Sequence, residues 1–180
     1  MDKVKLHDKV FKLYLGYDEI KSSIDSVAEK INGDFRGSDD VPVLLCVMNG
    51  AIMFTSELMK RLDFDLELMS IKLSSYEGMS SSGKVKEVSA LSGSVKGRRV
   101  IISEDIVDTG TTIKALVDML LERGAKEVRI CTMLLKKEIF KADVTLDYVA
   151  REIPNDFIVG FGLDYDELGR NLKDIYILDE

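Results

Sequence analysis

The segment from Glu104 to Thr112 concentrates residue types that can carry chemistry. Its sequence, EDIVDTGTT, places three carboxylates within five residues and then small hydroxyl residues around a glycine. The apolar run Arg99 to Ser103 precedes it, and residues with helical spacing follow it. Ligands of open parallel sheets bind beyond the carboxyl ends of the strands. We therefore expect a ligand site in this segment.

The second half of this segment suits a phosphate monoester. Free N–H groups at a helix N-terminus point outward, the helix dipole favours an anion, and threonine hydroxyls add donors. The carboxylates of the first half repel phosphate, but they suit sugar hydroxyls, a divalent cation or proton transfer. A phosphorylated sugar with Mg²⁺ satisfies both halves. The simpler alternative is that the threonines cap a helix and the acids complement its dipole.

Hydrophobic spacing predicts the elements that position this segment. Apolar residues from Ile20 to Ile31 recur at three and four, which predicts an amphipathic helix ending near Asn32-Gly33. Further helices are predicted over 51–62 and 113–121, and strands over 43–48, 66–73, 85–91, 99–103 and 128–135. A buried strand, loop, helix and second buried strand form a parallel βαβ unit. The predicted fold is α/β, a parallel sheet flanked by helices, with an irregular C-terminal appendage.

The composition narrows the class of protein. The 180 residues suit a single domain, and 25 basic against 32 acidic residues give a net charge of −7. That balance disfavours nucleic-acid binding, and no apolar run approaches the ~18 residues of a membrane span. The charged start MDKVKLHDKV does not resemble a signal peptide, so we expect a cytoplasmic protein. Cys46 and Cys131 lie in apolar runs and are predicted to be buried thiols, and His7 is predicted to be a surface residue.

Four segments resemble the hypoxanthine-guanine phosphoribosyltransferases. VIISEDIVDTGTTI is similar to the phosphoribosyl-pyrophosphate (PRPP) signature of the type I phosphoribosyltransferases, and LLCVMNGAIMF to their pyrophosphate-binding strand and turn. LSSYEGMSSSGKV resembles the mobile catalytic loop, and LLKK with EIPNDFIVGFGLDYDELGRNL the purine-binding hood. The resemblance implies the type I phosphoribosyltransferase fold in a single domain, residues 1–180. Its core would cover about 35–145, and its hood the N-terminal segment with about 146–180.

The resemblance also implies an activity. It is the Mg²⁺-dependent transfer of 5-phosphoribosyl from PRPP to N9 of hypoxanthine or guanine, which gives IMP or GMP and pyrophosphate in purine salvage. Departure of pyrophosphate leaves positive charge on the sugar, so such a site must neutralise the leaving group and exclude water. A homodimer or homotetramer is implied as well.

Roles in binding PRPP follow from the resemblance by position. Glu104 and Asp105 are expected to hold the ribose hydroxyls, directly or through Mg²⁺, and Asp108 to manage the proton at purine N7. The 5′-phosphate cradle is expected to comprise Thr109, Gly110, Thr111 and Thr112.

Roles around the base and pyrophosphate follow in the same way. Lys136 is expected to donate to the purine 6-oxo group, Phe157 to stack on the ring, and the backbone of Ile158 to meet the C2 edge. Asp164 is expected to serve Mg²⁺ and pyrophosphate, and Arg170 to contact pyrophosphate. The simpler alternatives are core packing for Phe157, a solvated charge for Lys136 and a turn for Asp164.

Two further segments carry expectations of their own. Seven of the eleven residues of Ser74–Lys84 are serine or glycine, which predicts a mobile lid with the pair Ser75 and Tyr76. The resemblance implies a cis peptide bond before Asn49, where relatives often carry lysine or arginine. With asparagine there, the backbone amides of Asn49 and Gly50 are expected to bind pyrophosphate.

Three other functions compete with this interpretation. The same fold could act on xanthine or another base, and a PRPP-sensing regulator would bind the ligand without catalysis. The presence of Asp108, Lys136 and Phe157 and the lack of a basic character favour an enzyme over such a regulator. A response-regulator receiver also has an acid cluster for Mg²⁺, but its acids follow separate strands, whereas here they cluster in one segment.

Overall fold

The computed structural model describes residues 2–74, 86–89 and 91–179. Two sheets and three helices make up this part of the chain. In chain order the elements are β1 Lys3–Leu6, β2 Lys9–Leu15, α1 Tyr17–Phe35, β3 Val43–Met48, α2 Ile52–Met59, β4 Glu67–Ser74, β5 Lys86–Ser89, β6 Arg99–Val107, α3 Thr111–Glu122, β7 Glu127–Lys136, β8 Tyr148–Ile153, β9 Ile158–Val159 and β10 Ile175–Leu178.

The larger sheet has the strand order β5-β4-β3-β6-β7-β8. Its five strands from β4 to β8 in this order are parallel, and β5 pairs antiparallel at one edge. Helices cover both faces, because Leu44 and Ile101 pack with α1 and α2 while Leu45 and Ile102 pack with α3. The predicted parallel sheet flanked by helices is therefore confirmed.

The continuous apolar run of β3 follows from this two-sided burial. Every residue from Val43 to Val47 is buried. A strand covered on both faces needs apolar side chains at all positions rather than at alternate ones. Cys46 and Cys131 are buried within such strands as free thiols, as predicted.

The smaller sheet combines the two ends of the chain. Its order is β1-β2-β10-β9, with antiparallel pairs throughout. Phe11, Val159 and Tyr176 form its buried cluster. We call this sheet and the residues 154–179 that carry β9 and β10 the hood. Among the described residues, no helix has the length and apolar character needed to span a membrane.

The first helix is longer than its sequence pattern predicts. It passes through Asn32-Gly33 and ends at Phe35. Phe35 is buried and its ring stacks on Phe64, with centroids 5.5 Å apart. The Asn32 side chain donates to the carbonyl of Arg61 at 2.9 Å. These tertiary contacts outweigh the local preference of Asn-Gly for a helix end.

Two strand boundaries also differ from the prediction. Strand β6 does not end at Ser103 but continues to Val107, because Glu104, Ile106 and Val107 pair with β7. Strand β8 pairs with β7 in the larger sheet, so the core extends to Ile153 and the hood begins later than about residue 146. Glu104 and Asp105, which we expected after the strand, therefore lie within its last part, whereas Asp108 follows its last residue.

Candidate active site

The carboxyl ends of β3, β6 and β7 meet at one edge of the larger sheet. A cavity of about 270 Å³ opens there, between the end of β6 and the start of α3. Its lining comprises Val47, Leu73, Glu104, Ile106, Val107, Asp108, Thr109, Gly110, Thr111, Thr112 and Ile113. The predicted phosphate segment and the first and last acids thus line one cavity.

Two adjacent carboxylates stand on the last part of β6. Glu104 is buried, and desolvation followed by the negative charge of Asp105 holds its pKa well above the ordinary range. Desolvation also raises the pKa of Asp105, against the lowering effect of its hydrogen bonds and of Arg170. Buried carboxylates favour the neutral form unless a cation or donors compensate them. This pair is therefore ready to accept a cation or hydroxyl donors.

The loop that joins β6 to α3 carries the residues that are predicted to form the phosphate cradle. Gly110 has φ of 86°, in the left-handed region, and precedes the first helical residue, Thr111. The hydroxyl oxygens of Thr109 and Thr111 lie 3.1 Å apart. The carbonyl of Thr109 accepts hydrogen bonds from the N–H groups of Lys141 and Ala142, each at 3.1 Å. These two hydrogen bonds hold the loop to the segment after β7. The helix N-terminus and the hydroxyls consequently point to the same cavity.

Asp108 is paired with the lysine at the end of the next strand. The Nζ atom of Lys136 lies 3.5 Å from Oδ1 of Asp108. The lysine side chain is 12% exposed, and the aspartate side chain is 50% exposed. The cation is thus held by the protein, while the carboxylate is open to a ligand. Lys136 does not line the cavity itself and reaches it through Asp108.

The turn after β3 lies against Asp105 and the hood. The Met48–Asn49 peptide bond is cis, as the resemblance implies. A Cβ atom on Gly50 would overlap the carboxylate of Asp105, and one on Gly162 would overlap the carbonyl oxygen of Gly50. Glycine is required at both positions because backbone meets backbone or a carboxylate there. The turn, Asp105 and the loop 160–174 that joins β9 to β10, here called the hood loop, therefore meet without other side chains between them.

An ion-pair cluster connects residues within the hood loop. The Nη2 atom of Arg170 lies 2.6 Å from Oδ1 of Asp164 and 3.6 Å from Oε2 of Glu167. Its Nη1 atom donates to the carbonyl of Gly162 at 3.0 Å. Asp164 also accepts from the N–H of Glu167 at 2.8 Å. Asp164 and Arg170 are thus brought together, each as the other's partner.

The hood contributes the predicted base-binding residues. Phe157 is 45% exposed and Ile158 is buried in β9. The carbonyl of Phe157 accepts from the N–H of Leu178 at 3.0 Å, which anchors it to β10. The simpler alternative of core packing for Phe157 does not account for this exposure. Ser75 and Tyr76, and most of the predicted lid 74–84, lie outside the described residues.

Spacing did not identify two residues that contact Phe157. Tyr165 and Lys9 both lie beside its ring, at 5.8 Å between ring centroids and 5.6 Å from Nζ to centroid. Lys9 is far from Phe157 in the chain, so a local pattern could not place it. For Tyr165 the sequence offered one indication of a place near the site, its position next to Asp164. His7 is exposed at the hood surface, as predicted, and its Nε2 atom lies 3.1 Å from the carbonyl oxygen of Asp166.

Comparisons with known proteins agree with this geometry. The phosphoribosyl transferase domain family matches residues 16–166. The hypoxanthine-guanine phosphoribosyltransferase of Streptococcus thermophilus is 39% identical over 176 residues, 97% of each chain. A hypoxanthine phosphoribosyltransferase structure from Staphylococcus aureus aligns with a TM-score of 0.87 and 36% identity, over 93% of this chain and 91% of that chain.

A second solved structure extends the same likeness. The hypoxanthine-guanine phosphoribosyltransferase of Bacillus anthracis aligns with a TM-score of 0.88 and 32% identity, covering 93% of this chain and 98% of its own. Sequence and structure thus agree over nearly the whole length of both proteins. This chain belongs to the phosphoribosyltransferase family and, within it, to the hypoxanthine-guanine phosphoribosyltransferases.

Proposed function

We propose that this protein transfers the 5-phosphoribosyl group of PRPP to N9 of hypoxanthine or guanine with Mg²⁺, giving IMP or GMP and pyrophosphate. One observation carries the proposal: the open carboxylate of Asp108 lies between the threonine cradle and the cation of Lys136. A phosphate site, a proton acceptor and a hydrogen-bond donor for the base are thereby adjacent. Family membership supports the same reaction.

The cradle binds the 5′-phosphate in this proposal. The N-terminus of α3 and the hydroxyls of Thr109, Thr111 and Thr112 supply donors, and Gly110 allows the close approach of backbone to phosphate. Asp108 then lies next to the sugar and the base. Its carboxylate accepts the proton at N7 or stabilises the positive charge that develops when pyrophosphate leaves.

Base recognition is assigned to Lys136, Phe157 and Ile158. The ammonium of Lys136 can only donate hydrogen bonds, so it matches the carbonyl oxygen at C6 of hypoxanthine or guanine. The half-exposed ring of Phe157 stacks on the purine, and the backbone of Ile158 faces its C2 edge. Adenine carries an amino group at C6 and would place two donors opposite each other.

The residues at the end of β6 fit a magnesium ion. Among the described residues, no group of three or more histidine, cysteine, aspartate or glutamate side chains is arranged to hold a metal. Mg²⁺ is usually bound through one or two carboxylates together with phosphates and water, and the buried pair Glu104 and Asp105 has that form. When bound, the ion supplies neutralisation of the leaving pyrophosphate.

The turn after β3 and the hood loop are assigned to pyrophosphate. The backbone amides of Asn49 and Gly50 are the proposed donors, and Gly50 lies against Asp105. Gly162, whose carbonyl accepts from Arg170, also lies against Gly50. Asp164 pairs with Arg170. We assign Asp164 to Mg²⁺ and pyrophosphate, with the arginine turning to the anion when pyrophosphate is bound. Negative charge from the acids and positive charge from Arg170 thus flank the leaving group.

The test is a substrate panel with the purified protein. PRPP and Mg²⁺ are combined in turn with hypoxanthine, guanine, xanthine and adenine, and both nucleotide and pyrophosphate are measured. We expect equimolar products with hypoxanthine and guanine, no turnover with excess chelator, and partial recovery with manganese. Undiminished turnover in chelator would contradict the Mg²⁺ assignment. Binding of PRPP without turnover on any base would contradict the enzymatic function.

The assembly is a separate proposal. We infer a homodimer or homotetramer from the family, and a single domain in which core and hood fold together. Light scattering after size-exclusion chromatography measures the mass in solution. A monomer at assay concentration would contradict the first proposal, and two separate unfolding transitions would contradict the second.

A further inference from the structure

The ring of Phe157 is held by three neighbours on the hood. Phe11 lies 6.0 Å away between ring centroids, and Tyr165 lies 5.8 Å away at an interplanar angle of 88°. The Nζ atom of Lys9 lies 5.6 Å from the centroid. Phe11 is fully buried, whereas Phe157 keeps 45% of its surface exposed. The ring is thus supported on the protein side and open on the other.

Contacts with Asp8 and Lys9 fix the side chain of Tyr165. Its hydroxyl donates to Oδ1 of Asp8 at 2.8 Å. This hydrogen bond is the main cause of the raised pKa of Tyr165 and of the lowered pKa of Asp8. The Nζ atom of Lys9 lies 5.0 Å from the Tyr165 ring, close to its distance from the Phe157 ring. One lysine therefore contacts both rings of an edge-to-face pair, an arrangement that favours a fixed orientation.

The backbone of Tyr165 connects this aromatic cluster to the pyrophosphate side of the site. Its N–H donates to the carbonyl of Leu168 at 2.9 Å, and Leu168 returns a hydrogen bond at 3.1 Å. Asp164, the preceding residue, is ion-paired with Arg170. A short, doubly bonded turn thus carries a base-side residue and a pyrophosphate-side residue next to each other.

We propose that Tyr165 is a positioning residue for the purine. It fixes the ring of Phe157 by an edge-to-face contact, while its own hydroxyl is held by Asp8. The inference rests on the proposed stacking of the base on Phe157 and adds the residue that sets the plane of that ring. Tyr165 contacts no reacting atom, so its effect belongs to base affinity. Loss of its ring leaves Phe157 with a wider range of orientations, most of which do not match the bound base.

The experiment compares Tyr165→Leu with wild type at saturating concentrations of the second substrate. We expect the KM for hypoxanthine to rise about threefold to tenfold, the range that an aromatic pair is worth. The kcat and the KM for PRPP should stay within about twofold of wild type. If Tyr165 only stabilised the fold, its loss would raise the KM for PRPP as well as that for hypoxanthine, or would lower kcat. That result would overturn the proposal.

Two further variants keep the test decisive if Tyr165→Leu folds poorly. Tyr165→Phe and Asp8→Ala each remove the hydrogen bond between the Tyr165 hydroxyl and the Asp8 carboxylate. Both variants keep an aromatic ring at position 165 in contact with Phe157. Each should raise the KM for hypoxanthine roughly twofold, and the double variant should not exceed the larger single effect. Additive effects would show that the two residues act independently and would overturn the proposed link.

Tyr14→Leu is the matched control. Tyr14 is a half-buried aromatic on the same strand as Lys9 but packs with the main core cluster. Its loss should leave the KM for hypoxanthine unchanged.

Phe157→Leu distinguishes the proposed stacking of the base on Phe157 from the proposed positioning of that ring by Tyr165. If Phe157→Leu raises that KM and Tyr165→Leu does not, the inference alone is wrong. If Phe157→Leu has no effect, the stacking role is wrong and the inference with it.

Discussion

The ammonium of Lys136 and the carboxylate of Asp108 lie 3.5 Å apart, where the last residue of β7 meets the loop before α3. The two partners are unequally exposed, because the lysine is 12% exposed and the aspartate 50%. A ligand that enters the cavity therefore meets the carboxylate first. Under the proposed function the two residues would have separable roles, proton handling for Asp108 and base recognition for Lys136, and the first two predictions test them one at a time.

Asp108→Asn should lower kcat by ~10²–10⁴, the usual effect of general acid–base assistance. The amide keeps the shape of the side chain but cannot take up a proton, so the fold and the KM for PRPP should change little. Steady-state kinetics with hypoxanthine provide the measurement. Asp118→Asn, on the exposed side of α3 beside Lys114, is the matched control and should retain wild-type turnover. An Asp108→Asn enzyme with normal kcat would remove this residue from the mechanism.

Lys136→Ala should raise the KM for hypoxanthine, and the wild type should reject adenine by ~10⁴ or more in kcat/KM. The reason is that a site built around a hydrogen-bond donor leaves that donor unpaired opposite an amino group. Lys137→Ala is the control, because Lys137 is 69% exposed and pairs with Glu152. Comparable kcat/KM values for adenine and hypoxanthine in wild type would show that Lys136 does not recognise C6.

Gly110→Ala should weaken PRPP binding and destabilise the fold. The alanine would adopt an unfavourable positive φ, and its Cβ would lie 2.6 Å from atoms of Ala142 and Phe140. The strain of the left-handed backbone costs about 1–2 kcal/mol, and the overlap about 1–3 kcal/mol more. Gly97 has a similar φ of 72°, but its Cβ would meet open space.

The comparison of these two glycines isolates the steric term. Gly97→Ala should be destabilised only by the strain of the left-handed backbone, and its KM for PRPP should stay at the wild-type value. Chemical denaturation gives the free energy of unfolding of both variants, and kinetics give the KM. Equal destabilisation of the two, with PRPP binding intact in both, would argue against a cradle that depends on Gly110.

Stability should depend on pH through Glu57. Hydrogen bonds from Lys60 and Arg61 lower the pKa of this carboxyl to about 2 in the folded protein, from an ordinary value of 4.5. A lowered folded-state pKa contributes stability above about pH 4.5, and this contribution is lost as the pH falls towards about 2. Glu57→Gln should therefore lower the free energy of unfolding at neutral pH by about 1 kcal/mol.

The difference between Glu57→Gln and wild type should shrink in acid, because both then carry a neutral side chain at this position. Denaturant titrations at several pH values measure it. Glu29→Gln, at an exposed position on α1, is the matched control and should leave the free energy of unfolding at neutral pH close to that of wild type. A constant difference between wild type and Glu57→Gln from neutral to strongly acid pH would contradict the assignment of this pKa.

Local sequence was sufficient for the elements at the centre of the larger sheet. Residues 99–122 form a strand, a loop and a helix in unbroken order, so periodicity and the glycine at 110 predict these elements and the position of the threonines in the loop and at the helix start. The loop between the strand and the helix also depends on a distant segment, because the N–H groups of Lys141 and Ala142 donate to the carbonyl of Thr109. The end of the strand is predicted too early, because pairing with β7 extends β6 beyond Ser103, so that Glu104 and Asp105 lie in the strand rather than after it.

Contacts between distant elements were decided by the tertiary structure. Sequence periodicity does not determine that β8 joins the larger sheet, that Lys136 pairs with Asp108, or that Lys9 and Tyr165 hold Phe157. Each of these depends on strand register and on how the hood packs on the core. Local preference describes a residue and its chain neighbours, whereas these contacts arise when burial of the whole core selects one arrangement of segments far apart in the chain.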